Sequence, residues 1–266
     1  MPLPDRTAEA VHGSAPTNPL DWAAQAREAD MPSLVREALQ RDRAQLAFQP
    51  VVTAGSPPQV AFYEGFIRLL DPAGRVLPAG DFMGHVEETA LGRDLDCASL
   101  RLGLQMLRRH PSIRLAINMS ARSIGDGAWR RVLDAGLAPG VGERLILEIS
   151  EGSAMLLPEV VTRFMAEMQP KGVSFAMDDF GAGLIAFRHL KDFLFDCVKI
   201  DRHFVAGIES SPDNQVLAEA LITVAHQFEM FAVAEGVETE AEARHLRALG
   251  VDCLQGYLFG RPKPTL

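Results

Sequence analysis

Val173-Ser174-Phe175-Ala176-Met177-Asp178-Asp179 decides how the rest of the chain is read: a largely apolar run, short enough for a strand, closes on two adjacent carboxylates. The same design recurs along the sequence. Val60–Tyr63 runs into Glu64, Ile113–Ile117 into Asn118, and Leu145–Leu147 into Glu148. Cys197-Val198 runs into Lys199, Phe231–Ala234 into Glu235, and Val251–Leu254 into Gln255. With Ala47–Val52 as a first strand, there are eight such runs.

A parallel strand covered on both faces reads as a near-continuous apolar run. Such runs alternating with helical segments predict an α/β fold of the TIM-like (β/α)8 class, in which the strand ends converge on one mouth. Any one polar residue at a strand end is ordinary. Four or more carboxylates, an amide and a lysine on a single rim would repel one another unless a cation sat among them, and oxygen-rich sets of this kind suit hard divalent ions.

The 266 residues suit one such barrel, or two small domains, and 47% hydrophobic with 23% charged residues is ordinary globular composition. A formal charge of -9 argues against a protein that coats DNA or RNA, which needs a basic stripe. Cys97, Cys197 and Cys253 are widely spaced and form no zinc pattern, so they read as core thiols of a reducing, cytoplasmic compartment. No membrane-length apolar segment and no signal-peptide layout is present in the sequence.

Residues 1–30 read as a flexible N-terminal tail, rich in proline at Pro2, Pro4, Pro16 and Pro19, and residues 31–266 as the barrel domain. Asp30 is placed to cap a helix with Pro32 in its first turn and a stripe of Leu34, Val35, Ala38 and Leu39. Further stripes are Leu100, Leu104 and Leu107; Val161, Phe164, Met165 and Met168 after Pro158; and Val216, Leu217, Ala220, Leu221 and Val224. Thr239 with Glu242 forms a capping box, and Gly250 is the matching stop.

From about Gln40 to Pro264 the chain resembles the EAL-domain family of bacterial cyclic di-GMP phosphodiesterases. The resemblance is carried by Tyr63-Glu64-Gly65-Phe66-Ile67-Arg68, Val86-Glu87-Glu88-Thr89, Asn118-Met119-Ser120, Leu147–Glu151 and Asp178-Asp179-Phe180-Gly181. It continues through Lys199-Ile200-Asp201-Arg202, Ala234–Thr239, Gln255-Gly256-Tyr257 and Arg261-Pro262. It implies a barrel whose first strand runs opposite to the others, a site for two Mg²⁺ or Mn²⁺ ions, cyclic di-GMP as ligand and a homodimer. By the same resemblance Glu64, Asn118, Glu148 and Asp178 would hold one ion, with Asp178 shared to a second that Asp179 and Glu235 help bind. Lys199 would orient or deprotonate the attacking water, although the commoner fate of such a lysine is a structural salt bridge. Gln255 would help fix that water, and Arg68 would pair with a substrate phosphate. Phe66 and Tyr257 would touch guanine or merely pack. Asp201 and Glu87 would support the ligands from behind.

The sequence departs from the family twice. The naming motif Glu-Ala-Leu reads Glu64-Gly65-Phe66, and the loop after the aspartate pair reads Gly181-Ala182-Gly183-Leu184-Ile185-Ala186-Phe187, with every hydroxyl of the family loop gone. Glu151, the residue that steadies this loop in the family, keeps its carboxylate and loses those partners. The apolar loop 181–187 reads either as a surface for a protein partner or as a segment tucked into the barrel. Two functions follow: hydrolysis of cyclic di-GMP to linear pGpG, or binding of cyclic di-GMP without hydrolysis by a receptor that signals through a protein partner. A protein-binding relic without nucleotide affinity ranks below both.

Overall fold

The computed structural model describes residues 19–183 and 190–266, the side chains of 19–29 excepted. Nine strands form one sheet, and eight of them close into a barrel: β1 (Ala44–Thr53), β2 (Val60–Leu70), β4 (Leu115–Asn118), β5 (Leu145–Ser150), β6 (Ser174–Phe180), β7 (Cys197–Ile200), β8 (Phe231–Ala234) and β9 (Cys253–Gln255). The ninth, β3 (Val76–Pro78), extends β2 as an antiparallel hairpin outside the ring. From β2 through β9 the ring is parallel, and β1 closes it antiparallel to both β2 and β9. The reversed first strand expected from the resemblance is present.

Two apolar assemblies flank the barrel wall. Outside it, the strands pack on helices through Leu100, Leu104 and Leu107 of Ala90–Arg109 and through Val161, Phe164, Met165 and Met168 of Pro158–Met168, all buried. Trp129, Phe164 and Phe175 stack edge to face with 5.7 Å between successive centroids and tie two helices to β6. Inside the barrel, Val51, Phe62, Ala116, Ile146, Ala176, Cys197 and Val233 form a smaller plug. Each belongs to a different strand, and in a two-residue repeat the next inward position on each strand lies directly above it.

Three sequence expectations are corrected here. The helix runs from Pro19 to Gln40, so Asp30 lies inside it and is not its cap; the Ala-rich stretch before Asp30 has high helix propensity and carries the helix past Pro32. The proposed tail therefore shrinks at its inner end, while residues 1–18 lie outside the described residues. On the helix Pro212–Gln227, Val216, Leu217 and Ala220 are exposed, Leu221 and Val224 of the expected stripe pack half-buried on the core, and the fully buried positions are Ala218, Ile222 and Ala225. Small residues let the helix approach the sheet closely, which a pattern weighted by side-chain size misses. Thr239 and Glu242 do form the capping box, and Gly250 has a φ of 85°, as a left-handed stop requires.

Among the described residues no helix is long and apolar enough to cross a membrane. Phe175→Ala removes a fully buried ring from the barrel–helix seam and is expected to lower unfolding free energy by about 3–5 kcal/mol in denaturant titrations. A loss under about 1 kcal/mol would contradict the packing described.

Candidate active site

The residues two positions above the apolar plug make a polar layer. Phe62 is followed by Glu64, Ala116 by Asn118, Ile146 by Glu148, Ala176 by Asp178, Cys197 by Lys199, and Val233 by Glu235. On β1, which runs the other way, Val51 is preceded by Gln49, and beside it Cys253 is followed by Gln255. The strand-end description given by the sequence is thus corrected for several of these residues. Glu64 lies inside the eleven-residue β2, and Glu148 and Lys199 lie within β5 and β7. They share a depth in the barrel, not a strand terminus. β2 outruns its apolar segment because β1 and β3 continue to pair with it beyond Gly65, where pairing with β4 stops.

Asp178 and Asp179 are consecutive, and an unbroken strand would send them to opposite faces. The pairing of β6 with β7 slips between Met177 and Phe180, inserting one extra residue on β6. Asp179 takes φ 56° at this bulge, a left-handed conformation that aspartate tolerates better than most residues. Carboxylate oxygens of Asp178, Asp179 and Glu235 consequently lie within 4.8 Å of one another.

Lys199 stands in the middle. Its Nζ donates to Glu64 Oε2 at 2.8 Å and Glu148 Oε2 at 3.0 Å, and lies 2.6 Å from Glu235 Oε1 and 3.3 Å from Asp178 Oδ1. Glu64 is further held by Asn118 Nδ2, donating to Oε1 at 2.7 Å, and by Gln255 Nε2, donating to Oε2 at 2.7 Å. Gln255 Nε2 also lies 3.2 Å from Gln49 Oε1, and Gln49 Nε2 donates to the Gly260 carbonyl at 2.9 Å. All of Glu64, Glu148, Lys199, Gln255 and Gln49 are buried.

The charges are unequal, and the proton affinities record it. Burial pushes the Glu64 carboxyl up, but the Lys199 ammonium and the hydrogen bonds from Lys199, Gln255 and Asn118 outweigh this and bring it below the ordinary range. Glu148 goes well above it through burial and the neighbouring Glu64 and Asp178. Glu235 rises to about 8, burial leading and Asp178 adding to it against the pull of Lys199. Burial acts to lower Lys199, and the four surrounding carboxylates raise it well above the ordinary lysine range. Among the described residues Glu148 Oε1 and Asp178 Oδ1 remain buried without a hydrogen-bond partner. Unpaired buried oxygen acceptors beside the converging carboxylates of Asp178, Asp179 and Glu235 fit a hard divalent ion.

A cavity of about 600 Å³ opens above the layer, with Glu64, Asn118, Asp178 and Asp179 in its floor and Phe66 and Arg122 among its walls. Phe66 and Arg68 continue the inward face of β2 above Glu64, and the Arg68 guanidinium lies 5.5 Å from the Phe66 ring centroid while donating to the Ile67 carbonyl at 2.9 Å. Glu151 stands apart from the Lys199 cluster: buried at the start of the helix Glu151–Leu156, it accepts from Gly181 N at 3.0 Å, and its Oε1 has no partner among the described residues. Gly183 passes so close that any Cβ there would collide with the Glu151 carboxylate. Leu184–Phe187, the apolar part of the altered loop, lie outside the described residues. Asp201 caps the turn Arg202–Val205, accepting from His203 N at 2.7 Å, and adds negative charge beside Asp179. Tyr257 packs under the Arg261 guanidinium, 4.1 Å from its ring centroid.

A family model of the EAL domain matches residues 34–262. The chain belongs to the EAL domain family. The cyclic di-GMP phosphodiesterase NbdA of Pseudomonas aeruginosa is 31% identical over 248 residues, which cover 90% of this chain and 31% of that protein. The cyclic di-GMP phosphodiesterase PdeR of Escherichia coli is 28% identical over 238 residues, covering 87% and 36%. This EAL chain therefore spans about a third of the length of the curated relatives it matches. Among solved structures, the PaMucR phosphodiesterase in complex with c-di-GMP superposes with a TM-score of 0.78 at 28% identity, covering 89% of this chain and 98% of that one. The FimX EAL domain from Pseudomonas aeruginosa bound to c-di-GMP gives 0.78 at 26%, covering 89% and 97%.

Two polar residues of the EAL site escaped the sequence reading. Gln49 was hidden because β1 enters from the opposite side, which puts its polar position in mid-strand. Asp96 lines the cavity wall, buried, with Oδ2 accepting from Ser120 N at 2.8 Å and Ser123 Oγ at 2.6 Å. Its signal was available, since it precedes Leu100 by one turn on the apolar stripe. Burial raises its carboxyl to about 6 against those two hydrogen bonds. A carboxyl raised on folding is most stabilising while protonated, so its contribution is lost as pH rises from about 4 through about 6. Asp96→Asn is expected to gain stability relative to the parent across that window, by the order of 2–3 kcal/mol between pH 4 and 7.5 in parallel denaturant titrations. A pH-independent difference would refute the buried placement.

Proposed function

We propose that this EAL domain is a metal-dependent phosphodiesterase that hydrolyses cyclic di-GMP to linear pGpG in second-messenger signalling. One observation carries the reading: Asp178, Asp179 and Glu235 bring carboxylate oxygens within 4.8 Å of one another, beside a cavity of about 600 Å³. The cavity is within the range of small-molecule sites. Relatives named as cyclic di-GMP phosphodiesterases, and neighbours solved with that ligand, support the choice of substrate.

Glu64, Asn118, Glu148, Asp178, Asp179 and Glu235 would hold two Mg²⁺ or Mn²⁺ ions. When bound, such ions neutralise the phosphodiester and favour ionisation of the attacking water. The product pGpG keeps its phosphate on the 5′ side, so water oxygen bonds to phosphorus as the bond to O3′ breaks, and O3′ leaves taking up a proton equivalent to the one the water gave to the site's acceptor. Lys199, hydrogen-bonded to Glu64 and Glu148 beside the rim, orients the attacking water or takes its proton and balances the charge of the phosphodiester. Glu235, whose carboxylate oxygens lie beside those of Asp178 and Asp179 at the rim, is a second candidate acceptor for the water proton. Gln255 keeps Glu64 in place. Phe66 offers an apolar wall, and Arg68 above it offers a planar donor fork for the second phosphate. Glu151 steadies the backbone after Asp179 through Gly181 N.

A receptor that holds cyclic di-GMP intact is the second reading, favoured by the unpartnered Glu151 Oε1 among the described residues and by the loss of hydroxyls in the loop 181–187. Chromatography of cyclic di-GMP incubated with the protein and Mg²⁺ or Mn²⁺ separates the two. The expected result is pGpG, with Glu64→Ala slower by about a hundredfold or more. Intact nucleotide after hours, from a protein that calorimetry shows to bind both metal and nucleotide, overturns the enzyme and leaves the receptor.

A further inference from the structure

Asp178 and Glu235 belong to two groups at once. With Asp179 they form the trio whose oxygens lie within 4.8 Å, and with Glu64 and Glu148 they form the shell around Lys199 Nζ. The ammonium has three protons and four carboxylate neighbours, so it cannot satisfy all of them; Asp178 Oδ1, the farthest at 3.3 Å, is left without a hydrogen bond. An ion such as Mg²⁺ binds oxygen ligands at about 2.0–2.1 Å. Oxygens pulled in to that distance leave the lysine shell, and two cations sharing the half-buried Asp178 and Glu235, beside a fully buried lysine, repel each other. Glu64 can release the lysine most easily, because Asn118 and Gln255 donate to it independently.

We infer that Lys199 and a divalent ion compete for one set of carboxylate oxygens, so that metal binding requires the ammonium to withdraw from Asp178 and Glu235. Lys199 is then an internal counter-ion that keeps the carboxylate layer assembled and sets the threshold for metal loading. Ions too weakly charged to displace it are excluded. The inference rests on the metal-binding part of the proposed function and is independent of turnover.

Calorimetric titration of Mn²⁺ into the parent, Lys199→Met and Lys199→Arg tests it. Lys199→Met is expected to bind Mn²⁺ about tenfold or more tightly than the parent, to melt lower in EDTA and to gain more on adding Mn²⁺. Lys199→Arg keeps the charge and is expected to bind no more tightly than the parent. Equal or weaker binding by Lys199→Met overturns the competition while leaving metal binding intact. Absence of binding in both removes the metal reading, and the competition with it. Should Lys199→Met fail to fold, ¹⁵N-lysine resonances of the parent decide: the Lys199 Nζ signal is expected to shift or broaden as Mg²⁺ is added, and a signal unchanged to saturation overturns the inference.

Discussion

Inward side chains on a β-strand recur every second residue, and closing the sheet into a barrel stacks them into layers. Everything at this site follows from that repeat. The lower layer, with Phe62 and Ile146 fitted among Ala116, Ala176, Cys197 and Val233, fills the barrel and excludes water from below. The next layer is polar on every strand, so residues separated by nearly two hundred positions, Glu64 and Gln255, meet at 2.7 Å. Where the repeat would fail, at Asp178-Asp179, an inserted residue restores both carboxylates to the rim.

Such a layer is costly to fold. Glu64, Glu148, Asp178 and Glu235 surround Lys199, and burial of Glu64, Glu148 and the lysine withdraws the solvent that would otherwise dilute the repulsion among the carboxylates. A single ammonium with three protons is stretched over four carboxylates, at 2.6, 2.8, 3.0 and 3.3 Å, more acceptors than it can serve. A core chosen for stability alone would not contain this arrangement; it is the kind of local conflict that marks a working site.

Much of this was legible from residues alone. The apolar runs located seven of the eight barrel strands by their polar partners, and the helical stripes at Leu100 and Val161 named the faces that are buried. The run endings named the layer's carboxylates, its amide and its lysine, although their common feature is depth and not strand termination. Gln49 and Asp96 were less visible, since each sits in the middle of an element whose apolar neighbours dominate the pattern. The face of Pro212–Gln227 was legible at Leu221 and Val224 but not at Ala218 and Ala225, since alanines contribute little to an apolar pattern yet are fully buried against the barrel. Asp30 failed as a helix start because local capping chemistry says nothing about helix propensity upstream.

Anomalous diffraction from crystals soaked in Mn²⁺ shows whether the polar layer binds the divalent ions proposed for it. A peak bounded by Asp178, Asp179 and Glu235, with Lys199 Nζ displaced from Asp178, is the expected result. Saturating Mn²⁺ with no peak in the layer and Lys199 still bridging Glu64, Glu148 and Glu235 would contradict it.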